Sequence, residues 1–249
     1  MTTLVTGGAG GLGIEVARAF LRRGRDVALV DLAERVTEVA ASLLISTPGR
    51  AVAGFVADTT EPRSVGNAWT KAEEEVGPID VVVNSAGIVV RGGIAGVSTE
   101  EWQRCLNVNL TGPFLVCRRA AESWLASNVK GAIVNVASIS AMKAAGPPVG
   151  SVAYDSAKAG LIGLTQHLAV ELGPHGIRTN AVAPGSFVSP MNRDRLSDPH
   201  ALEEAERMVP LGRVATAEEV AGPVVYLALD ASYINGAVLV CDGGTVVRM

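Results

Sequence analysis

The stretch Thr6-Gly7-Gly8-Ala9-Gly10-Gly11-Leu12-Gly13 decides the fold, because it joins an apolar run at Leu4 to Val5 to a helical pattern at Leu12 to Arg23. Glycines lack a Cβ atom, so they permit a tight turn and let the backbone approach a pyrophosphate, which N–H groups of the helix N-terminus then bind. The string fits GxGxxG from Gly8 and both GxxGxxG and GxxxGxG from Gly7. The strand-turn-helix context favours a dinucleotide-binding turn over a glycine-rich turn that binds nothing.

Short apolar runs without polar alternation recur along the rest of the chain. With the first run they lie at Leu4 to Val5, Val27 to Val30, Ala51 to Val56, Ile79 to Val83, Ala132 to Val136, Ala181 to Ala183 and Ala237 to Val240. Helical patterns lie between them, at Leu12 to Arg23 closed by Gly24, at Trp102 to Ala126, and at Ala153 to Leu172 closed by Gly173. This alternation predicts an α/β fold in which a doubly wound parallel sheet of about seven strands carries helices on both faces, as a single domain over 1–249.

One segment, between the last two predicted strands, does not fit this alternation of strands and helices. From Pro184 to Leu211 the chain carries four prolines and is too long for an ordinary connection in a compact domain. We interpret about 186–210 as a lid over a substrate site. The alternative is a loose surface excursion, because lids and loose loops share this composition.

Composition and charge exclude several classes of protein. The chain has 21 Lys and Arg against 25 Asp and Glu, and no stretch gathers the basic residues, so nucleic acid is not an expected partner. No apolar run is long enough to span a bilayer and no basic leader precedes the first strand, so we expect a cytoplasmic protein that does not bind membranes. Cys105, Cys117 and Cys241 lack CxxC spacing and the three histidines lack metal-ligand spacing, which predicts reduced thiols and no metal site.

Asp31 ends the second predicted strand, where such folds place a carboxylate on the adenosine ribose 2′-hydroxyl. Its charge would repel a 2′-phosphate, so the sequence predicts NAD rather than NADP as the cofactor. Arg22, Arg23 and Arg25 are nearby cations that would weaken this preference if one turned toward the ribose. The alternative is that Asp31 only caps the helix that starts near Glu34.

The segment Tyr154-Asp155-Ser156-Ala157-Lys158 places a phenol and an ammonium one helical turn apart on the same face. A phenol that exchanges its proton with a substrate hydroxyl needs a lowered pKa, which a neighbouring cation provides. Ser138 follows the strand Ala132 to Val136, and ligands of doubly wound sheets bind outside the carboxyl ends of the strands. We therefore expect Ser138 and the glycine loop to lie at one edge of the sheet.

Together these motifs resemble the single-domain branch of the short-chain dehydrogenase/reductase family over nearly the whole chain. Further matches follow in family order: Asp58 after the third strand, Asn84-Ser85-Ala86-Gly87, Asn107-Val108-Asn109-Leu110, Asn180-Ala181-Val182-Ala183-Pro184-Gly185 and Cys241-Asp242-Gly243-Gly244. Ser85 replaces the usual second Asn, and Ser189 stands where Thr is more frequent. Both residues keep a hydrogen-bonding group. The resemblance implies a Rossmann-type fold and hydride transfer between a nicotinamide and a carbinol or carbonyl carbon.

The resemblance also implies which residues form the site. The implied catalytic residues are Asn109, Ser138, Tyr154 and Lys158. The implied cofactor contacts are Gly7, Gly10, Gly11, Leu12, Gly13, Asp31, Asp58, Asn84, Ala86, Gly87, Tyr154, Lys158, Pro184, Gly185 and Ser189. The candidate substrate-pocket residues are Ser140, Met142, Val149 and Phe187.

The sequence therefore predicts an NAD-dependent oxidoreductase that interconverts a small secondary alcohol and a ketone. The alternative is a 3-oxoacyl-(acyl-carrier-protein) reductase that uses NADPH, against which Asp31 and the scattered charges argue. A non-catalytic dinucleotide sensor would keep the glycine loop and lose the other motifs. The resemblance also implies a homotetramer, and helices 102–126 and 153–172 are apolar beyond one face, as a helix-mediated interface requires.

Overall fold

The computed structural model describes residues 1–144, 150–189, 192 and 196–248. The strands in these ranges are β1 Thr2–Thr6, β2 Asp26–Asp31, β3 Val52–Val56, β4 Ile79–Asn84, β5 Ala132–Val136, β6 Arg178–Pro184 and β7 Val238–Cys241. The α-helices are α1 Gly11–Arg22, α2 Val36–Ser46, α3 Pro62–Glu75, α4 Thr99–Leu106, α5 Gly112–Ser127, α6 Val152–Leu172, α7 Pro199–Arg207 and α8 Ala217–Val225. The predicted alternation of strands and helices is confirmed.

Over the described residues the seven strands form one parallel sheet in the order β3-β2-β1-β4-β5-β6-β7. The chain runs outward from β1 to β3, then returns to the other side of β1 to place β4 there. Adjacent loops after β1 and β4 therefore leave the sheet in opposite directions and open a crevice at its carboxyl edge. This switch point is where the glycine loop lies.

Both faces of the sheet are covered, which explains the non-alternating apolar runs. One core lies between the sheet and α1, α2 and α8, and a second lies between the sheet and α3, α5 and the end of α6. Trp69 and Trp124 meet edge to face in the second core at 6.2 Å between ring centroids, and the Trp124 indole donates to the Ile79 carbonyl at 2.7 Å. A Cβ at Gly131 would lie 2.5 Å from the Trp124 ring, so glycine is required there.

The predicted helix at Trp102 to Ala126 is longer than expected and is not uniform. Ser98 caps its start through a reciprocal pair of hydrogen bonds with Glu101, and Asn128 ends it in the left-handed conformation at φ 53°. A π-helical turn at Asn107–Thr111 interrupts it between α4 and α5. Such turns widen the helix locally and occur often at functional sites.

The segment interpreted as a lid contains α7, and its described start is tied to the body of the protein. Phe187 forms an isolated bridge with Ala215, and the Ala215 N–H donates to the Ser186 carbonyl at 3.0 Å. Residues 190, 191 and 193–195 of this segment lie outside the described residues. Among the helices that the structure describes, none is both long enough and apolar enough to cross a membrane.

Candidate active site

A cleft of about 580 Å³ opens at the carboxyl ends of the strands, across the switch between β1 and β4. Most of the predicted site residues line it. These are Gly7, Gly10, Gly11, Leu12, Gly13, Asp31, Asp58, Ala86, Gly87, Ser138, Ser140, Tyr154, Lys158, Pro184, Gly185, Phe187 and Ser189. The glycine loop and Ser138 thus share one edge of the sheet.

The glycine loop is shaped by two positions where a side chain has no room. Gly7 has a φ of +68°, and a Cβ there would lie 2.8 Å from the Ala86 backbone. A Cβ at Gly13 would clash with the Gly7 carbonyl, so the first turn of α1 packs directly on the loop. Helix α1 begins at Gly11, and its N-cap Gly10 offers no side chain to the free N–H groups. Those N–H groups remain available to a phosphate.

The structure argues against one of the three overlapping glycine patterns. Gly7, Gly10, Gly11 and Gly13 all line the cleft, which fits both the GxxxGxG and the GxxGxxG spacing from Gly7. Gly8 does not line it, and a Cβ there would lie 2.7 Å from the Leu29 side chain in the core. Gly8 is therefore required for packing rather than for ligand contact.

Asp31 ends β2 with its carboxylate held against the glycine loop. Its Oδ2 accepts from the Ala9 N–H and its Oδ1 from the Ala33 N–H, both at 2.9 Å. Helix α2 begins only at Val36, and its N-cap Arg35 makes no side-chain capping bond, so Asp31 does not cap that helix. The carboxylate lines the cleft with a fixed orientation, as a contact to the ribose requires.

The three arginines that we considered as competitors of Asp31 are engaged elsewhere. The pairs are Arg22 with Glu218, Arg23 with Asp230, and Arg25 with Asp80. Arg23 and Arg25 precede β2 and so lie near the amino edge of the sheet, away from the cleft. Arg35 was not predicted from the sequence, and its guanidinium donates to the Ala9 carbonyl in the glycine loop. Its signal was only its position four residues after Asp31.

Asp58 and Asn84 are predicted cofactor contacts that follow strands, and their side chains lie in different places. Asp58 lines the cleft and accepts from the Thr60 N–H at 2.8 Å and from its hydroxyl at 2.7 Å. Asn84 does not line the cleft and is 1% exposed, so the structure corrects this prediction. Its amide instead donates to Asn135 Oδ1 at 2.9 Å and contacts the Cys117 thiol at 3.3 Å. Asn84 therefore links β4 to β5 beneath the site.

The predicted catalytic side chains meet where β5 faces the first turns of α6. Ser151 caps this helix by accepting from the Tyr154 N–H at 3.1 Å. Lys158 is 3% exposed and donates from Nζ to the Val136 carbonyl at 2.8 Å. The same Nζ lies 5.6 Å from the centroid of the Tyr154 ring, and Ser138 lies close enough to the phenol to lower its pKa. Phenol, hydroxyl and ammonium thus share one side of the cleft.

Asn109 lies in the π-helical turn behind these groups. Its Nδ2 donates to the Ile88 carbonyl at 2.8 Å and to the Cys105 carbonyl at 3.0 Å, which fixes the amide. Its Oδ1 is buried and accepts no hydrogen bond from the residues that the structure describes. A Cβ on Gly87 would lie 2.8 Å from this Oδ1 and 3.7 Å from Lys158 Nζ. The missing Cβ therefore leaves space between the amide oxygen and the ammonium.

Burial has the largest effect on the pKa values of Tyr154 and Lys158. Desolvation raises the pKa of Tyr154 to about 12, although the hydrogen bond with Ser138 lowers it. Desolvation lowers the pKa of Lys158 to about 8. With protein groups alone, the pKa of Tyr154 therefore moves opposite to the direction that we predicted for catalysis, because the cost of burying a phenolate outweighs the effect of Ser138.

At the substrate end of the cleft, two of the four predicted pocket residues line it. Ser140 and Phe187 line it as predicted. Met142 does not line the cleft and is 45% exposed, since the chain turns toward solvent after the 3-10 turn Ile139–Ala141. The structure corrects this prediction. Val149 lies outside the described residues.

Asn192 is a lining residue that sequence reasoning missed. Its Oδ1 accepts from the Ser189 N–H at 2.9 Å and from the Ser189 hydroxyl at 3.1 Å, and its Nδ2 donates to the Phe187 carbonyl at 2.8 Å. It therefore shapes the turn that carries two predicted site residues. Its only signal was its place in the proline-rich segment. Elsewhere in the described ranges, no three His, Cys, Asp or Glu side chains are placed to hold a metal ion.

Known dehydrogenases and reductases are similar to this chain along nearly its whole length. Residues 7–246 match the family described as Enoyl-(Acyl carrier protein) reductase. The chain is 37% identical to 3beta-hydroxysteroid dehydrogenase 1 of Eggerthella lenta over 98% of this chain and 92% of the relative. A short-chain type dehydrogenase/reductase from Mycobacterium marinum superimposes with a TM-score of 0.91 at 34% identity, covering 99% of this chain and 96% of the other. A gluconate 5-dehydrogenase from Burkholderia cenocepacia, solved with NADP and tartrate, gives a TM-score of 0.92 at 28% identity over 100% and 96%.

The fold and the cleft define an oxidoreductase that binds a nicotinamide dinucleotide and acts on CH–OH groups. The chain belongs to the short-chain dehydrogenase/reductase family.

Proposed function

We propose that the protein is an NAD(H)-dependent dehydrogenase that interconverts a small secondary alcohol and a ketone, with Asn109, Ser138, Tyr154 and Lys158 as its catalytic residues. The observation that carries the proposal is the juxtaposition of Ser138, Tyr154 and Lys158 in the cleft that also contains the glycine loop and Asp31. Hydride chemistry needs a dinucleotide site and a proton carrier side by side.

The residues present fit such a cofactor. The glycine loop has no Cβ atoms where the backbone must come close to a pyrophosphate, and α1 presents its free N–H groups there. Asp31 would accept a hydrogen bond from the adenosine ribose, and its negative charge disfavours a 2′-phosphate. A bound nicotinamide supplies the hydride donor or acceptor, and Pro184, Gly185 and Ser189 would border it.

The protein supplies the proton. Ser138 would hydrogen-bond the substrate oxygen, and Tyr154 would give its proton to that oxygen during reduction or take it during oxidation. A phenol whose pKa lies at about 12 keeps its proton at neutral pH, which suits an acid. Ionisation during oxidation needs further stabilisation, and a unit charge about 4 Å away contributes roughly 4 kcal/mol at an effective dielectric constant of 20.

Lys158 supplies that charge and Asn109 connects the site to solvent. Lys158 is mostly cationic below pH 8, since its pKa is about 8. The buried Asn109 Oδ1 would accept from a water held beside the ammonium, because a buried oxygen without a partner is costly. Such a water would pass the proton between the tyrosine pair and the bulk.

We further propose that the segment at about 186–210 covers the substrate, with Phe187 as an apolar wall and Ser140 as a polar one. Phe187 and Ser140 line the cleft, which supports this reading. A cytoplasmic location is proposed as well, since Cys105, Cys117 and Cys241 are all free thiols, as a reducing compartment favours.

The choice of NAD is tested by titrating the protein with NADH and NADPH and following nicotinamide fluorescence. We expect NADH to bind at least about tenfold more tightly, a difference of about 1.4 kcal/mol. Asp31→Ala should lose most of that preference, because the carboxylate both holds the ribose and repels the 2′-phosphate. Glu38→Ala is the matched control, since it removes an exposed carboxylate from the first turn of α2.

A tighter complex with NADPH would contradict the role given to Asp31. It would favour the competing candidate, a reductase of 3-oxoacyl chains on acyl carrier protein, the carrier named in the description of the matching family. If neither dinucleotide bound, the proposed NAD(H)-dependent function would fail.

We also propose a homotetramer. Phe114 and Leu125 on α5 and Val170 on α6 are exposed apolar side chains on the two helices predicted to form an interface. Burying such side chains between subunits removes apolar area from water. Light scattering after gel filtration should give about four times 25.6 kDa, whereas a peak at 25.6 kDa alone would exclude assembly.

A further inference from the structure

The backbone of Ala9 in the glycine loop is hydrogen-bonded to the Asp31 carboxylate through its N–H and to the Arg35 guanidinium through its carbonyl. Asp31 Oδ2 accepts from the Ala9 N–H at 2.9 Å, and the Arg35 guanidinium donates to the Ala9 carbonyl. The two side chains come from the end of β2 and the start of α2, four residues apart. Asp31 lines the cleft at the end where the adenosine ribose is expected, and Arg35 does not line the cleft but lies beside the glycine loop that does.

The two side chains are not equally fixed. Both oxygens of Asp31 accept backbone N–H groups, so the carboxylate cannot turn away without losing two charge-assisted bonds. Arg35 is exposed, and its bond to the glycine loop is to a neutral carbonyl. A guanidinium binds a phosphate more strongly than a neutral carbonyl, because the bond is charge-assisted and often bidentate. Arg35 can therefore exchange this partner for an anion.

The other arginines near α1 and β2 are bound to carboxylates. Arg18 pairs with Glu15 on α1, while Arg22, Arg23 and Arg25 pair with acids on other elements. Among the hydrogen bonds of the described residues, the one between a cation and the glycine loop is made by Arg35. Arg35 is thus the cation placed to reach a 2′-phosphate on that ribose.

We infer that Arg35 is a second determinant of cofactor choice, which gives the cleft a usable affinity for 2′-phosphorylated dinucleotides despite Asp31. Asp31 sets the preference for NAD, and Arg35 leaves the loop carbonyl to bind the 2′-phosphate when NADP enters. The enzyme then accepts NADP as a weaker second cofactor. The inference rests on the proposed function, because it places the adenosine ribose beside Asp31.

The test is equilibrium binding of four ligands by calorimetry, namely NADH, NADPH, ADP-ribose and 2′-phospho-ADP-ribose. The last two lack nicotinamide and report the adenosine end without turnover. Arg35→Ala should weaken NADPH and 2′-phospho-ADP-ribose at least about tenfold and change the other two less than about twofold. Arg35→Lys should restore part of the loss, because it returns a cation. Arg18→Ala is the control, since it removes an exposed arginine that pairs within α1.

Three outcomes would overturn the inference. Equal losses for all four ligands would mean that Arg35 only holds the loop in shape. Unchanged binding of the 2′-phosphorylated ligands would mean that Arg35 does not reach the phosphate. If the unmodified protein bound none of the four ligands, the proposed function would fail as well, and this result is distinguishable from the other two.

Discussion

Tyr154→Phe should abolish turnover while leaving NADH binding near normal. The variant keeps the ring and loses only the hydroxyl, which is the proposed proton donor and acceptor. General acid–base groups contribute typically about 10²- to 10⁴-fold to rate, so we expect kcat to fall by about 10³-fold or more. The measurement pairs a steady-state assay on alcohols and ketones with a fluorescence titration of NADH.

Tyr233→Phe is the matched control. Tyr233 is fully exposed and lies with the amino-edge residues Asp80 and Lys130 around a separate depression, far from Ser138. Its loss of a hydroxyl should leave kcat unchanged. Turnover retained in Tyr154→Phe would refute the assignment of the proton carrier. If the variant lost both turnover and NADH binding, the phenol would instead be a group that holds the cofactor.

The positions of the strands and of most helices follow from apolar patterning, because a strand covered on both faces cannot alternate. All seven predicted runs fall within or overlap the observed strands. Apolar runs place the strand boundaries less accurately, since β6 begins at Arg178 rather than near Ala181. Arg178 is polar, but its guanidinium donates to the carbonyls of Leu227 and Ala228, so strand pairing extends beyond the apolar run.

The features of the site that the sequence did not predict depend on geometry that periodicity does not carry. A π-helical turn adds one residue to a helical turn, and the apolar pattern around Asn109 looks the same with or without it. Whether a strand-end amide such as Asn84 faces the cleft or the core depends on register with Asn135. Arg35 reaches the glycine loop because the start of α2 lies beside the loop that follows β1, which its neighbours in sequence do not indicate.

Burial of Lys158 has a thermodynamic consequence that can be separated from catalysis. Its pKa is about 8 in the folded protein against an ordinary value of 10.5, a gap equivalent to about 3 kcal/mol. Below pH 8 both the folded and the unfolded chain carry the proton, so the full cost of burying the cation is present. Between pH 8 and 10.5 the unfolded chain binds more protons, so this group makes stability rise with pH.

Lys158→Met should leave the fold as stable or more stable at pH 7, and should lower kcat by about 10³-fold or more because it removes the charge proposed to assist Tyr154. The methionine fills a similar volume without a charge, although the Val136 carbonyl loses its donor, which costs about 1–3 kcal/mol. The rise in stability between pH 8 and 10.5 that the lysine causes should disappear. Urea unfolding at pH 7 and pH 10 measures both effects.

The comparison of wild type with variant is essential here, because other buried groups titrate in the opposite direction. The pKa values of Tyr154 and Cys117 are raised to about 12, so those groups make stability fall as the pH rises toward 12. They are present in both proteins, so the difference in unfolding free energy isolates Lys158.

Lys71→Met, on the exposed face of α3, should leave both activity and the pH dependence unchanged. A Lys158→Met protein that is several kcal/mol less stable at pH 7 would contradict the expected gain from removing a buried cation. A difference in unfolding free energy that is the same at pH 7 and pH 10 would contradict the lowered pKa of Lys158, because the lysine would then add no pH dependence to unfolding.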